Sequence, residues 1–235
     1  MPQSILSIPW KLSLLLAAGP LLFLGGIVIV SVALGMRGTP PADIPDRASA
    51  LAPHILLGVL LCLGGLLVTW LPVVRVAWRW PGARAASVEL LTGGVAGLLV
   101  GVAYVRWLAP LHELLQRSFG DYVPPGSVLP TISNSLGVFF VANIVLAPFV
   151  EETLYRGIAL PLLTERYGSR AAVPLVCILF GLLHWAGGFW HIALTGLVAG
   201  GLFATLFIWG GGIYAPCAAH LALNVVEFAY ASQLH

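Results

Sequence analysis

The chain has 235 residues, of which 59% are hydrophobic and 9% charged, and its mean hydropathy is +0.98. A soluble domain carries about 25% charged residues, and a surface this poor in charge would not stay dispersed in water; soluble globular, disordered and disulfide-scaffold classes are excluded, which leaves an integral membrane protein. The formal charge of +2 comes without a basic run, so no nucleic-acid partner is expected.

Crossing the hydrocarbon takes roughly 20 apolar residues. Seven such stretches follow one another, at 12–34, 55–74, 90–108, 132–150, 171–185, 192–209 and 213–230. They predict a single all-α domain over 1–235, a polytopic transmembrane helical bundle. The first stretch follows Lys11, is too long for a signal-peptide core and has no clean cleavage site, so it is expected to stay as a helix. The fourth is expected to run on as a helix towards Tyr167. Pro20, Pro148 and Pro174 should kink or start their helices. Gly25-Gly26, Gly64-Gly65, Gly93-Gly94 and Gly200-Gly201 should let helices approach closely. The stretches 39–45 and 121–130 are rich in breakers and read as loops. Seven spans collect Lys11, Arg75, Arg79, Arg84, Arg166 and Arg170 on one side and Arg37, Arg47, Arg106 and Arg117 on the other. That balance predicts a cytoplasmic N-terminus. Cys62, Cys177 and Cys217 stand singly in apolar surroundings and read as inert thiols.

The informative residues are the polar ones inside apolar helices. Each ionisable group there costs about 2.5–3.5 kcal/mol on insertion scales, so it faces a cavity or a partner. Glu151, Glu152, Arg156, His184, His191, His220, Asn224 and Glu227 all lie in the C-terminal half. Glu151 and Glu152 point about 100° apart on a helix, and Arg156 shares the Glu152 face. Glu152 is therefore expected to pair with Arg156, leaving Glu151 free; a structural knot of all three is the bland alternative. His220 and Asn224 share one face, and Glu227 continues it. Glu151 and His184 lie about 16 residues either side of the turn at Tyr167-Gly168, roughly 24 Å of helix, so they sit at one depth. His191 reads as an interface residue, and His54, His112 and His235 as loop or end residues.

Three motifs occur in order on separate helices: Glu151-Glu152-Thr-Leu-Tyr-Arg156, Phe180-Gly-Leu-Leu-His184 and His220-Leu-Ala-Leu-Asn224. Together they resemble the CPBP family, which contains the type II CAAX prenyl endopeptidases and the bacterial Abi proteins. The resemblance covers roughly 130–230, so 131–235 reads as a CPBP-like catalytic core and 1–130 as variable apolar helices. The family is commonly drawn with eight helices; an eighth would have to lie within 157–163 or 108–129.

The resemblance implies an intramembrane endopeptidase that hydrolyses a peptide bond of a membrane-associated or prenylated substrate. Glu151 would be the general base for a water, His184 would hold the same water, and His220 and Asn224 would donate to the tetrahedral oxyanion. Glu152 and Arg156 would support Glu151. No cofactor is certain. A variant with Zn²⁺ would use Glu151, His184 and His220 as ligands, leaving one position for water. The expected partners are the lipid bilayer and a lipidated or membrane-held peptide, and the expected location is a bacterial inner membrane. A non-catalytic binding, immunity or scaffold protein that keeps the polar pocket is the main alternative. A small transporter, or a bundle whose polar groups only satisfy one another, are lesser ones.

Overall fold

The computed structural model describes residues 9–124 and 135–233. Residues 125–130 of the predicted second loop, 132–134 of the fourth predicted span, and His235 lie outside the described residues. Every regular element among the described residues is helical. In chain order these are α1, Pro9–Met36; α2, Ile44–Ala50; α3, Ala52–Val68; and α4, Leu71–Ala77. Then follow α5, Ala83–Phe119, and α6, Leu136–Tyr167; α7, Ser169–Leu183; α8, Phe189–Gly210; and α9, Tyr214–Gln233.

In their described parts all seven predicted stretches fall largely on helices, and the fourth does run on to Tyr167. Seven to eight spans are nevertheless not found. By length and composition four helices can cross a membrane, α1, α5, α6 and α8, or five if α2 and α3 count as one span bent by 52°. Three physical reasons account for the difference. The region 108–129 holds no extra span in its described part, because α5 simply continues through it to reach 37 residues. At 15 residues α7 is shorter than the hydrocarbon needs. Finally, α9 has the length but carries His220, Asn224 and Glu227, which a helix wrapped by others can hold. The stretch 39–45 is not a plain loop either: it forms a 3₁₀ turn at Pro41–Asp43 and opens α2, with prolines in the first helical positions where the missing N–H is harmless.

Packing is organised around α6 and α9. Residues 151–160 of α6 are all buried, with Leu154, Tyr155, Ile158 and Leu160 in the main apolar core. Outward-facing Leu21, Ile29, Leu91 and Leu99 stay exposed, as lipid-covered side chains would. The most extensive helix pair is α5 with α9. They run parallel, with Gly93 against Ala215, Gly97 against Ala219 and Gly101 against Leu223 and Val226. A Cβ on Gly93 or Gly97 would lie 2.1 Å from a backbone carbonyl oxygen of α9, so only glycine admits this approach. Gly94, one residue away, faces open space. Each glycine pair read from the sequence thus has at most one packing member.

Four stretches of π-helix interrupt the long helices, at Tyr104–Leu108, Phe140–Leu146, Thr153–Ala159 and Thr195–Gly200. The first three each end two residues before a proline, at Pro110, Pro148 and Pro161, whereas the fourth, in α8, has no proline after it. A proline ring clashes with the carbonyl four residues back, and the wider π turn moves that carbonyl aside. Within the second stretch Ala147 N–H donates to the Ala142 carbonyl, five residues back. The next donor in that pattern would be residue 148, which has no N–H. The Asn143 carbonyl is therefore free to accept from elsewhere. Pro20 and Pro174, in contrast, sit inside uninterrupted helices.

Candidate active site

The polar residues of α6 divide as their helical phase dictates. Glu152 and Arg156, one turn apart, pair at 3.1 Å with both side chains fully buried. Arg156 also donates from Nη2 to the Gly200 carbonyl at 3.1 Å. Its guanidinium lies over the rings of Phe180, 4.3 Å from the centroid, and Phe203, 5.2 Å. Glu152 Oε1 meets a second partner, His220 Nδ1, at 2.9 Å. Glu151 points elsewhere: its residue is 6% exposed, and its Oε2 has no protein hydrogen-bond partner.

His184 closes α7. Its backbone N–H bonds to Gly181 rather than Phe180, which leaves the Phe180 carbonyl to its imidazole, Nδ1 at 2.9 Å. A carbonyl only accepts, so Nδ1 carries the proton and Nε2 keeps a lone pair. Phe180 packs its ring 5.0 Å from His184 and 6.0 Å from His220. Phe203 stacks on His220 at 4.8 Å. The first residue of the F-x-x-x-H motif thus supports both imidazoles and the arginine. One turn beyond His220, Asn224 donates from Nδ2 to the freed Asn143 carbonyl at 2.8 Å.

His184, His220 and Asn224 line one cavity of about 60 Å³, several times the 10–15 Å³ that one water needs. Glu151 lies within electrostatic range of His184 and His220. Four of the residues singled out from the sequence are therefore neighbours, and Glu152 and Arg156 lie directly behind them. Among the described residues no group of three His, Cys, Asp or Glu side chains is placed to hold a metal ion. As placed, Glu151, His184 and His220 do not form the ligand set that the zinc variant needs.

Two histidines need correction. His191 is not an interface residue: its ring lies 5.9 Å from His184 and it lines the cavity. His112 is not in a loop; it is buried in α5, 5.7 Å from His191. Both contacts are between helices, so nothing in local spacing announces them. His54 sits exposed in the first turn of α3. Glu89 and Asp121 were also not singled out. Glu89 is buried in α5 beside Gly210 and Gly212 at the turn into α9. Asp121 accepts from the backbone N–H groups of Phe189 and Trp190 at 2.8 and 3.3 Å and so caps α8 from a distant segment. Asp121 leaves only the trace of a carboxylate before a breaker-rich stretch, and Glu89 leaves none beyond a lone charge inside an apolar helix.

The polar cluster of this apolar helix bundle thus has two imidazoles and an amide at one cavity, with the buried Glu151 carboxylate within electrostatic range of both imidazoles but not among the cavity-lining residues. Residues 133–226 match a family model described as type II CAAX prenyl endopeptidase Rce1-like. The match takes in all three motif helices and bears out the CPBP resemblance over this segment. It supports an integral membrane protein, a CAAX-type intramembrane protease in general. No curated protein and no solved structure matches the chain.

Proposed function

We propose that the chain hydrolyses a peptide bond of a prenylated or membrane-held substrate with a water activated by Glu151. The observation that carries this reading is the division between the two adjacent carboxylates. Glu152 is engaged through Oε1 by Arg156 and His220, while Glu151 is buried and, among the described residues, enters no ion pair; each carboxylate keeps an Oε2 that no protein group satisfies.

In this mechanism Glu151 takes a proton from the water as its oxygen adds to the carbonyl carbon. The lone pair on His184 Nε2 accepts from the same water and orients it. His220 holds Nδ1–H on Glu152, whose carboxylate stabilises the imidazolium; Nε2–H then donates to the oxyanion. The second Nδ2–H of Asn224 is the other donor. Collapse of the tetrahedral adduct breaks the C–N bond, and the proton held by Glu151 passes to the leaving nitrogen. Arg156 holds Glu152 in place. The reading also takes the chain to sit in a bacterial inner membrane with a cytoplasmic N-terminus, which the loop arginines favour when seven helices cross.

The test uses purified protein in liposomes with a farnesylated CAAX peptide. Glu151→Gln should lower cleavage by about 10²–10⁴-fold, and Asn224→Ala by about 10²–10³-fold, with unchanged melting temperature for Glu151→Gln. Cleavage that survives Glu151→Gln would sink the mechanism. A wild type that binds the peptide without cutting it, with binding unaffected by Glu151→Gln, would leave the non-catalytic binder.

A further inference from the structure

The proposed reaction uses one end of the cavity. The other end is lined by Glu227, Tyr104 and His191, which that reading leaves idle. Glu227 lies seven residues after His220 on nearly the same face of α9, so it is about 10 Å further along the helix axis. It is within electrostatic range of Tyr104 and His220. The Tyr104 hydroxyl stands 3.5 Å from His191 Nδ1.

Glu227 has no cationic partner of its own. Among the described residues the ion pairs are Arg117 with Glu113, Arg156 with Glu152 and His220 with Glu152. A carboxylate facing a cavity inside an apolar bundle calls for a partner, and here the open side is the cavity itself. Val100, Leu194 and Leu223 provide apolar walls beside it, suited to the methylene stem of a long cationic side chain.

We propose that Glu227 and Tyr104 form a subsite for an ammonium group of the substrate peptide, about three residues from the bond that is cut. The placement of that bond rests on the proposed function. An extended peptide advances about 3.3 Å per residue, so three residues cover the distance from His220 to Glu227. Tyr104 can give its hydroxyl proton to His191 and turn its oxygen lone pairs and ring face to the cation. A lysine side chain and a free peptide N-terminus share this chemistry.

The experiment uses the full chain in lipid nanodiscs, with Glu151→Gln present so that turnover does not consume the probe. The probes are eight-residue apolar peptides, dansylated at the carboxyl end, with one lysine at successive positions or norleucine in its place. Each is made with an acetylated and with a free N-terminus. At least one lysine register should bind ten-fold or more tightly than its norleucine counterpart. Glu227→Gln should abolish that preference while leaving norleucine peptides bound as before, and Glu227→Asp should keep it. A gain seen only with the free N-terminus assigns the site to the terminal amine. Equal binding of lysine, norleucine and free-amine peptides, or a preference that survives Glu227→Gln, overturns the proposal. Cleavage by the unmodified chain is scored separately: a Glu227-dependent preference without cleavage retires the peptidase reading and leaves the subsite standing, and cleavage without a preference does the reverse.

Discussion

Arg156 has no exposed surface, yet it carries a full charge held by Glu152, the Gly200 carbonyl and two aromatic faces. Removing one partner of a buried pair strands the other, at a cost of about 3–5 kcal/mol. Exposed pairs such as Arg117 with Glu113 contribute about 0.2–1 kcal/mol. Arg156→Ala should therefore lower the melting temperature in detergent far more than Arg117→Ala; equal shifts would show that the buried pair is not a structural anchor. At this scale the sequence was informative wherever partners share a helix. Glu152 and Arg156, or His220 and Asn224, announce themselves by spacing alone. The second contact of Glu152, to His220, does not, because it joins α6 to α9. Neither does His191, whose neighbours come from α5 and α7.

Among the helices, the α5–α9 contact sets where His220 and Asn224 stand. The carbonyls of Ala215 and Ala219 occupy the space that side chains at Gly93 and Gly97 would fill. Gly97→Ala should displace α9, cost about 1–3 kcal/mol from overpacking and reduce cleavage of the farnesylated peptide. Gly94→Ala meets open space and should be neutral or add up to about 1 kcal/mol through helix propensity. Thermal unfolding and activity of the two variants side by side check this, and similar behaviour would refute the contact. Glycine pairs were visible in the sequence; which member packs was not, because that depends on helix phase against a partner distant in the chain. Element type was legible in the apolar runs, since runs of this length have few alternatives, but not at 39–45, where prolines that read as breakers open a 3₁₀ turn and α2. Span number was not, because continuous apolarity conceals that α5 runs on past one crossing and that α7 stops short of one.

Across the whole molecule, Asp121 ties the end of α5 to the start of α8. Its Oδ1 accepts from the Phe189 and Tyr122 backbone N–H groups and its Oδ2 from Trp190 N–H and the Gln116 amide; nearby, the Tyr122 hydroxyl donates to the Trp185 carbonyl. Partial burial works to raise the Asp121 carboxyl, but the four hydrogen bonds outweigh it and hold the group below the usual carboxylate range. A depressed value means that the stabilisation is complete above the unfolded pKa of about 3.9 and is lost as pH falls through the lower folded value. Melting temperatures between pH 7 and pH 3 should drop at the acid end for the wild type. Asp121→Ala, which removes the acceptor from all four donors, should lose about 0.5–2 kcal/mol at pH 7, as a lost helix cap does, and show a flatter acid limb; parallel curves would dissociate Asp121 from acid sensitivity. A different long-range tie runs through Pro148. Its missing N–H leaves the Asn143 carbonyl for Asn224, so a ring without any polar group fixes the attitude of an amide on another helix. In evolutionary terms the two positions should behave as one locus: restoring a donor at 148 would return to α6 the acceptor on which Asn224 depends, so that drift at either position would be constrained by the other.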